Sequence, residues 1–291
     1  MTPAARVQSA IDILDTVIAA ARDNGAPADR IVADWARANR YAGSKDRRAV
    51  RELVYGAIRA CGPVPAGGRA AMLRLAEIQP EIAALFDGSP YGPAPIAEGE
   101  RTADGGVAPD WLVRELAASG ISGEEAAALL DRAPLDLRVN TLKADRATLQ
   151  LPVPVVPTDA PQGLRLEPGT PVEQWPQYRD GSVEVQDTGS QLACMTVGAG
   201  PGETVIDLCA GGGGKALALA AMMDNRGRLI ASDTDRGRLS RLGPRAARAG
   251  AAIIETRLLD PTREIEALAD LEHGADAVLV GPGWRVAICV R

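Results

Sequence analysis

Apolar positions recur at helical spacing throughout residues 1–132. Val7, Ala10, Ile11, Leu14, Val17, Ile18 and Ala21 fall at i, i+3, i+4 and i+7, one stripe on a 3.6-residue period. Val50, Leu53, Val54, Ala57, Ile58 and Cys61 repeat the pattern, and Gly62-Pro63 stops it. Ser122, with Glu125 three residues on, has the form of a capping box and predicts a helix through Leu130. The segment "GSPYGPAPIAEGE" (88–100) is dense in Pro and Gly and reads as a loop between groups of helices. These stripes predict an all-α domain.

Beyond Pro134 the period changes. "LDLRVNTL" (135–142) alternates and predicts a strand. Residues 151–181 hold seven prolines and suit short strands and turns, so 133–181 reads as a small α/β connector. From Ser182 short apolar runs alternate with helical patterns. Strands are expected at 183–186, 204–208, 228–232, 252–256 and 276–280, and helices at 189–198, 214–224, 236–249 and 262–271. That alternation predicts a parallel α/β sheet over 182–291.

Composition narrows the class. The chain has 291 residues, 46% hydrophobic and 24% charged, ordinary for a globular protein. The longest apolar runs fall far short of the ~20 residues that span a membrane. No apolar signal segment follows the first arginine, so a cytoplasmic, reduced protein is expected. Cys61, Cys194, Cys209 and Cys289 are dispersed and His273 is the only histidine, which argues against a metal site or a disulfide framework.

The net charge of −6 argues against a simple polyanion binder, but it is unevenly spread. Residues 1–60 hold 10 Lys/Arg and 7 Asp/Glu (+3), and the remainder 22 and 31 (−9). Within "RANRYAGSKDRR" (37–48), Arg37, Arg40, Lys45, Arg47 and Arg48 stand against Asp46 alone. On charge alone this is a solvated helix face; functionally it is a phosphate-contacting patch. Aromatics make up only 3%, too few for a stacking platform.

The chemistry centres on "VIDLCAGGGGKALALA" (205–220): an apolar run, four glycines and a helix start. A phosphate-binding loop of the form GxxxxGK[ST] fails, because Cys209 stands at its first glycine and Ala216 at its Ser/Thr. The dinucleotide pattern fits as Gly211-x-Gly213-x-x-Ala216, with Asp233 ending the next strand where a ribose-binding acid belongs. Several adenosine ligands share that pattern. Asp260 ends the third strand at the same edge and could accept from an adenine amine. Standing before Pro261, it is equally a turn residue.

These residues carry a resemblance. "DLCAGGGGK" (207–215) and "ASDTDRGRL" (231–239) resemble the S-adenosyl-L-methionine site of the RsmB/Nop2/Sun family of rRNA cytosine-C5 methyltransferases, with Gly212 where the family usually has Pro. "VEVQDTGSQL" (183–192) resembles the segment preceding that turn. "PLDLRVNTLKADR" (134–146) resembles the family's RNA-binding region, and "ANRYAGSKDRRAVRELVYGAIR" (38–59) its NusB-like helical domain. The resemblance implies a multidomain chain: an all-α NusB-like domain over 1–132, the connector over 133–181 and a truncated Rossmann-like methyltransferase domain over 182–291. It implies that Cys209, Ala210, Gly211, Gly212, Gly213, Gly214, Lys215, Asp233 and Asp260 hold S-adenosyl-L-methionine. It implies that Arg40, Lys45, Arg47, Arg48, Arg138 and Lys143 meet small-subunit rRNA. No membrane or metal enters that reading.

One part of the pattern is missing. Cytosine C5 is a poor nucleophile, and the family activates it by cysteine attack at C6. Members carry a Pro-Cys pair after the fourth strand; here "DAVLV" (276–280) runs into "GPGWRVAICVR". Cys289 is the nearby thiol, in apolar company that suppresses thiolate. The sequence therefore predicts no catalytic residue, and no methylation by this chain alone. Its fourth strand is expected to be an open edge unless 286–290 folds back over it. The rival readings are a non-catalytic RNA- or ribosome-binding protein with a vestigial cofactor site, and an NAD-dependent oxidoreductase.

Overall fold

The structure, a computed structural model, describes residues 1–131 and 133–281 and, as backbone, 287–290. The chain forms two compact units, 1–131 and 132–291. Among the described residues no helix is long and apolar enough to cross a membrane.

The first unit is helical: α1 (Pro3–Arg22), α2 (Ala28–Ala38), α3 (Ser44–Ala60), α4 (Gly68–Ile78), α5 (Pro80–Ala83), α6 (Asp110–Ala118) and α7 (Gly123–Ala128). Helix α1 starts where Thr2 Oγ1 accepts from the Ala5 backbone, with Pro3 in the first turn, where its missing N–H costs nothing. Its stripe buries Val7, Ala10, Ile11, Leu14 and Ile18 against α3 and α4. Helix α3 contributes Val50, Val54 and Ala57, while Ile58 stays half exposed. Ser122 does stand at the N-cap of α7, but its side chain makes no capping hydrogen bond, and the helix ends at Ala128 instead of running through Leu130.

The second unit holds two sheets. The first is antiparallel, in order β2 (Val156–Pro157), β3 (Gly163–Leu166), β1 (Leu135–Val139) and β4 (Val183–Val185). The pattern assigned 183–186 to the parallel sheet; instead Val183 and Val185 pair antiparallel with Val139 and Leu137. Three strand residues carry no information about which partner they choose, and long-range packing decides it. Short α8 (Pro176–Arg179) precedes β4.

The second sheet follows through α9 (Thr188–Val197), β5 (Thr204–Asp207), α10 (Gly214–Met222), β6 (Arg228–Asp233), α11 (Arg236–Leu239), α12 (Leu242–Ala249), β7 (Ile254–Leu258), α13 (Glu264–Ala267), β8 (Ala277–Val280) and β9 (Ala287–Val290). Its order is β7-β6-β5-β8-β9, with the first four strands parallel. The expected helix at 236–249 is two helices, and that at 262–271 is one short helix and a 3₁₀ turn. Strand β9 runs antiparallel along β8 and pairs its outer side, so the backbone of 287–290 covers the edge that the sequence left open. Leu217, Leu219, Leu229 and Leu279 fill the core between sheet and helices.

Candidate functional site

Strands β5 and β6 are in register from Thr204 against Arg228 to Asp207 against Ala231, so Asp207 and Asp233 end them on one edge of the sheet. The chain then turns through the glycines. Gly211 and Gly213 have φ of +55° and +84°, a region that glycine enters without the Cβ penalty. A Cβ on Gly213 would also meet Leu242 of α12 at 2.0 Å. The turn thus needs glycine for both backbone angle and space, and it opens into the first turn of α10.

Asp233 holds this turn. Its Oδ2 accepts from Gly211 N at 2.8 Å, and its Oδ1 accepts from Asp235 N at 2.8 Å. From the other side Arg245 donates to the Gly212 carbonyl at 2.6 Å and to buried Glu184 at 3.0 Å. Arg248 completes the pairing of Glu184 and lies over the Tyr178 ring at 4.3 Å. The antiparallel sheet, which contains Glu184, therefore braces the glycine turn. Sequence reasoning missed Glu184 and Arg245, since no local signal links residues 61 apart.

A cavity of about 530 Å³ opens beside Asp233, within the usual range for small-ligand sites. Leu208, Leu259, Ile265 and Leu268 supply apolar walls, and Cys209, Asp233 and Thr234 line it with them. Such a pocket takes a flat apolar group next to a carboxylate that can accept from vicinal hydroxyls. Leu259, Ile265 and Leu268 were not read as site residues; only their place after the third strand could have marked them.

Asp207 lies beneath the turn. Both carboxylate oxygens are buried and no side chain hydrogen-bonds them, and burial pushes the group up to about 7. The Lys215 ammonium and the Ala216 backbone pull the other way, while Asp233 adds to the rise. A Cβ on Gly281 would lie 3.2 Å from Lys215 Nζ, so Lys215 reaches across toward the end of β8. S-adenosyl-L-methionine, with an adenosine and two cationic centres, fits this set: the buried Asp207 oxygens call for a positive group, and Gly214 leaves open space where a side chain would stand.

The other expected residues separate. Ala210 and Gly212 are half-buried in the turn. Asp260 is exposed, its Oδ1 accepting from Thr262 N and Oγ1; it closes a turn, and the adjacent Leu259 lines the cavity in its place. Arg138, expected at an RNA surface, is buried, with its Nε donating to Gln186 Oε1. That expectation is corrected: β1 is covered on both faces, so alternation leaves none of residues 136–140 exposed. Lys143 is exposed and donates to the Asp180 carbonyl.

In the helical unit Arg40, Lys45 and Arg48 are exposed and Arg47 is half-buried. Asp46 does not neutralise them. It accepts from the N-terminal ammonium, Arg6 and Gly43, bonds that outweigh burial and lower its pKa.

None of the thiols described is a thiolate near neutrality. Burial pushes Cys194 up to about 11 and raises Cys61 and Cys209, the last helped by Asp233 and Asp207. The Cys289 side chain and residues 282–286, where the family's Pro-Cys was sought, lie outside the described residues.

Residues 194–280 match the family model described as 16S rRNA methyltransferase RsmB/F. A probable ribosomal RNA small subunit methyltransferase B of Bacillus subtilis is 30% identical over 188 residues, 59% of this chain and 40% of that one. A mouse 28S rRNA (cytosine-C(5))-methyltransferase is 37% identical over 95 residues, 33% of this chain and 20% of that one. The chain thus spans two fifths or less of these curated relatives. The solved structure of PH0851 superposes with a TM-score of 0.60 at 20% identity, covering 96% of this chain and 74% of that one, and shows a shared fold.

Proposed function

We propose that the chain is a member of the RsmB/Nop2/Sun family of rRNA methyltransferases, that it binds S-adenosyl-L-methionine at the 209–215 turn and that it acts with small-subunit rRNA in the cytoplasm, cytosine C5 being the methyl acceptor. The observation that carries this reading is the bond from Gly211 N to the Asp233 carboxylate at the mouth of the apolar cavity. It fixes the glycine turn and aims an acceptor at the space where a ribose would lie. Leu259, Ile265 and Leu268 would flank the adenine, and Asp207 would face the cationic end. The bound cofactor supplies an electrophilic methyl group.

Arg40, Lys45 and Arg48, all exposed, support RNA phosphate contact by a NusB-like helical unit.

Transfer to C5 needs an attacking thiolate, and Cys61, Cys194 and Cys209 are all held protonated. The proposal is therefore cofactor and RNA binding without turnover by this 291-residue stretch. Tritiated methyl transfer to unmodified small-subunit rRNA, run beside Cys289→Ala, tests it. Incorporation well above background would overturn the inactivity, and its loss in the variant would make Cys289 the nucleophile. The protonated state of these three thiols favours a second reading, an RNA-binding protein with a vestigial cofactor site. Calorimetric titration with S-adenosyl-L-methionine separates the two, since only the first binds it.

A further inference from the structure

Arg138 is a buried cation that makes no ion pair among the described residues. It is 5% exposed. Its Nε donates to Gln186 Oε1 at 2.7 Å, and the four Nη–H donors meet no acceptor among the described residues. Glu184, which would compensate the charge, is taken up by Arg245 and Arg248. Three guanidinium groups thus share one carboxylate. Arg245 and Arg248 are part-exposed, whereas Arg138 keeps 5% of its surface. A buried charge in that position costs free energy unless something pairs with it. Burial accordingly lowers its pKa.

Arg138 also lines a cavity of about 320 Å³. Val139 of β1 and Ala218, Ala221 and Met222 of α10 form its apolar wall. Gln162 and Gln191 line it too, and Oε1 of each is buried without a partner. Gln191 Nε2 already donates to the Leu137 and Gln186 carbonyls, so its amide cannot be turned round without losing both bonds. The cavity shares no lining residue with the one beside Asp233.

We propose that this cavity is a second binding site, for a small organic carboxylate whose two oxygens pair with the Arg138 guanidinium and whose apolar body rests on α10. A planar fork of N–H donors matches a carboxylate better than a point charge would. The apolar wall disfavours inorganic phosphate, whose remaining oxygens would face Ala218, Ala221 and Met222 without donors. An N–H or O–H on the ligand would satisfy the orphaned glutamine oxygens.

The test uses the whole chain without S-adenosyl-L-methionine or RNA, so its outcome is independent of the cofactor and rRNA readings. Sodium benzoate is titrated calorimetrically at constant chloride, beside the neutral isostere benzamide and inorganic phosphate. Benzoate should bind saturably, benzamide at least about tenfold more weakly for want of the charge, and phosphate not at all. Arg138→Met should abolish benzoate binding. Since that variant also loses the Gln186 bond, Ala221→Leu provides a second check: it fills the cavity, keeps the guanidinium and should abolish binding too. In the unaltered chain the Arg138 Nε–H resonance should shift on benzoate addition. Absence of saturable benzoate binding, equal affinity for benzamide, preference for phosphate, or binding retained in either folded variant overturns the proposal.

Discussion

Arg245 joins Glu184, 3.0 Å away in the antiparallel sheet, to the Gly212 carbonyl, 2.6 Å away in the glycine turn. One guanidinium thus couples a buried carboxylate to the backbone that would cradle the cofactor, while lining neither wall of the cavity. Arg245→Ala should leave Glu184 with Arg248 alone and free the turn. The expected result is S-adenosyl-L-methionine affinity about tenfold weaker and stability lower by about 1–3 kcal/mol. Calorimetric titration and urea denaturation measure the two. Unchanged affinity in a destabilised variant would show that the turn keeps its shape without the brace.

Asp233→Ala removes an acceptor from the cavity and from Gly211 N together. Loss of a charged acceptor to a ribose is worth about 1.5–3 kcal/mol, roughly a 10- to 150-fold rise in Kd. Asp233→Asn should fall between, since it keeps an acceptor but not the charge. Direct titration with S-adenosyl-L-methionine compares all three.

Asp207 makes stability depend on pH with a definite sign. Its folded pKa is raised from 3.8 to about 7, so the folded state holds a proton that the unfolded state has released. Stability contributed by the protonated form is full below about 4 and is lost as pH rises to about 7. Asp207→Asn cannot ionise. Its Tm should match the parent's near pH 4 and exceed it at pH 8, by up to about 4 kcal/mol of stability at 1.36 kcal/mol per unit. Equal melting shifts at both pH values would rule out a proton held at Asp207.

The same residue should link cofactor binding to protons. A cationic ligand group favours the ionised carboxylate, so affinity for S-adenosyl-L-methionine should rise between pH 6 and pH 8 and level off above the folded pKa. In Asp207→Asn that rise should vanish. Titrations in buffers of different ionisation enthalpy count the released proton.

Lys45 and Arg48 are exposed on the helical unit. Replacing both with Ala should weaken binding to small-subunit rRNA fragments and flatten the log–log salt dependence by about 0.7–0.9 per lost phosphate contact. Filter binding over a salt series reads the slope. An unaltered slope would leave these residues as a solvated helix face.

The local parts of this protein are legible in its sequence, and the long-range parts are not. The helix stripes of α1 and α3, the parallel strands with their crossovers and the turn at 209–215 are written in consecutive residues, because period and backbone angle are local properties. Asp233, at the end of the strand after the turn, follows from that same regular spacing. Tertiary structure decided what has no local cause. The strand at 183–185 chose an antiparallel partner by packing. Arg138 was buried because β1 is covered on both faces, which no alternation of residues along one strand can reveal. Asp260 was spent on a turn while Leu259 beside it entered the cavity. The contact of Glu184 with Arg245, beside the buried Arg138 that makes no ion pair among the described residues, exists only once two sheets distant in sequence are brought together.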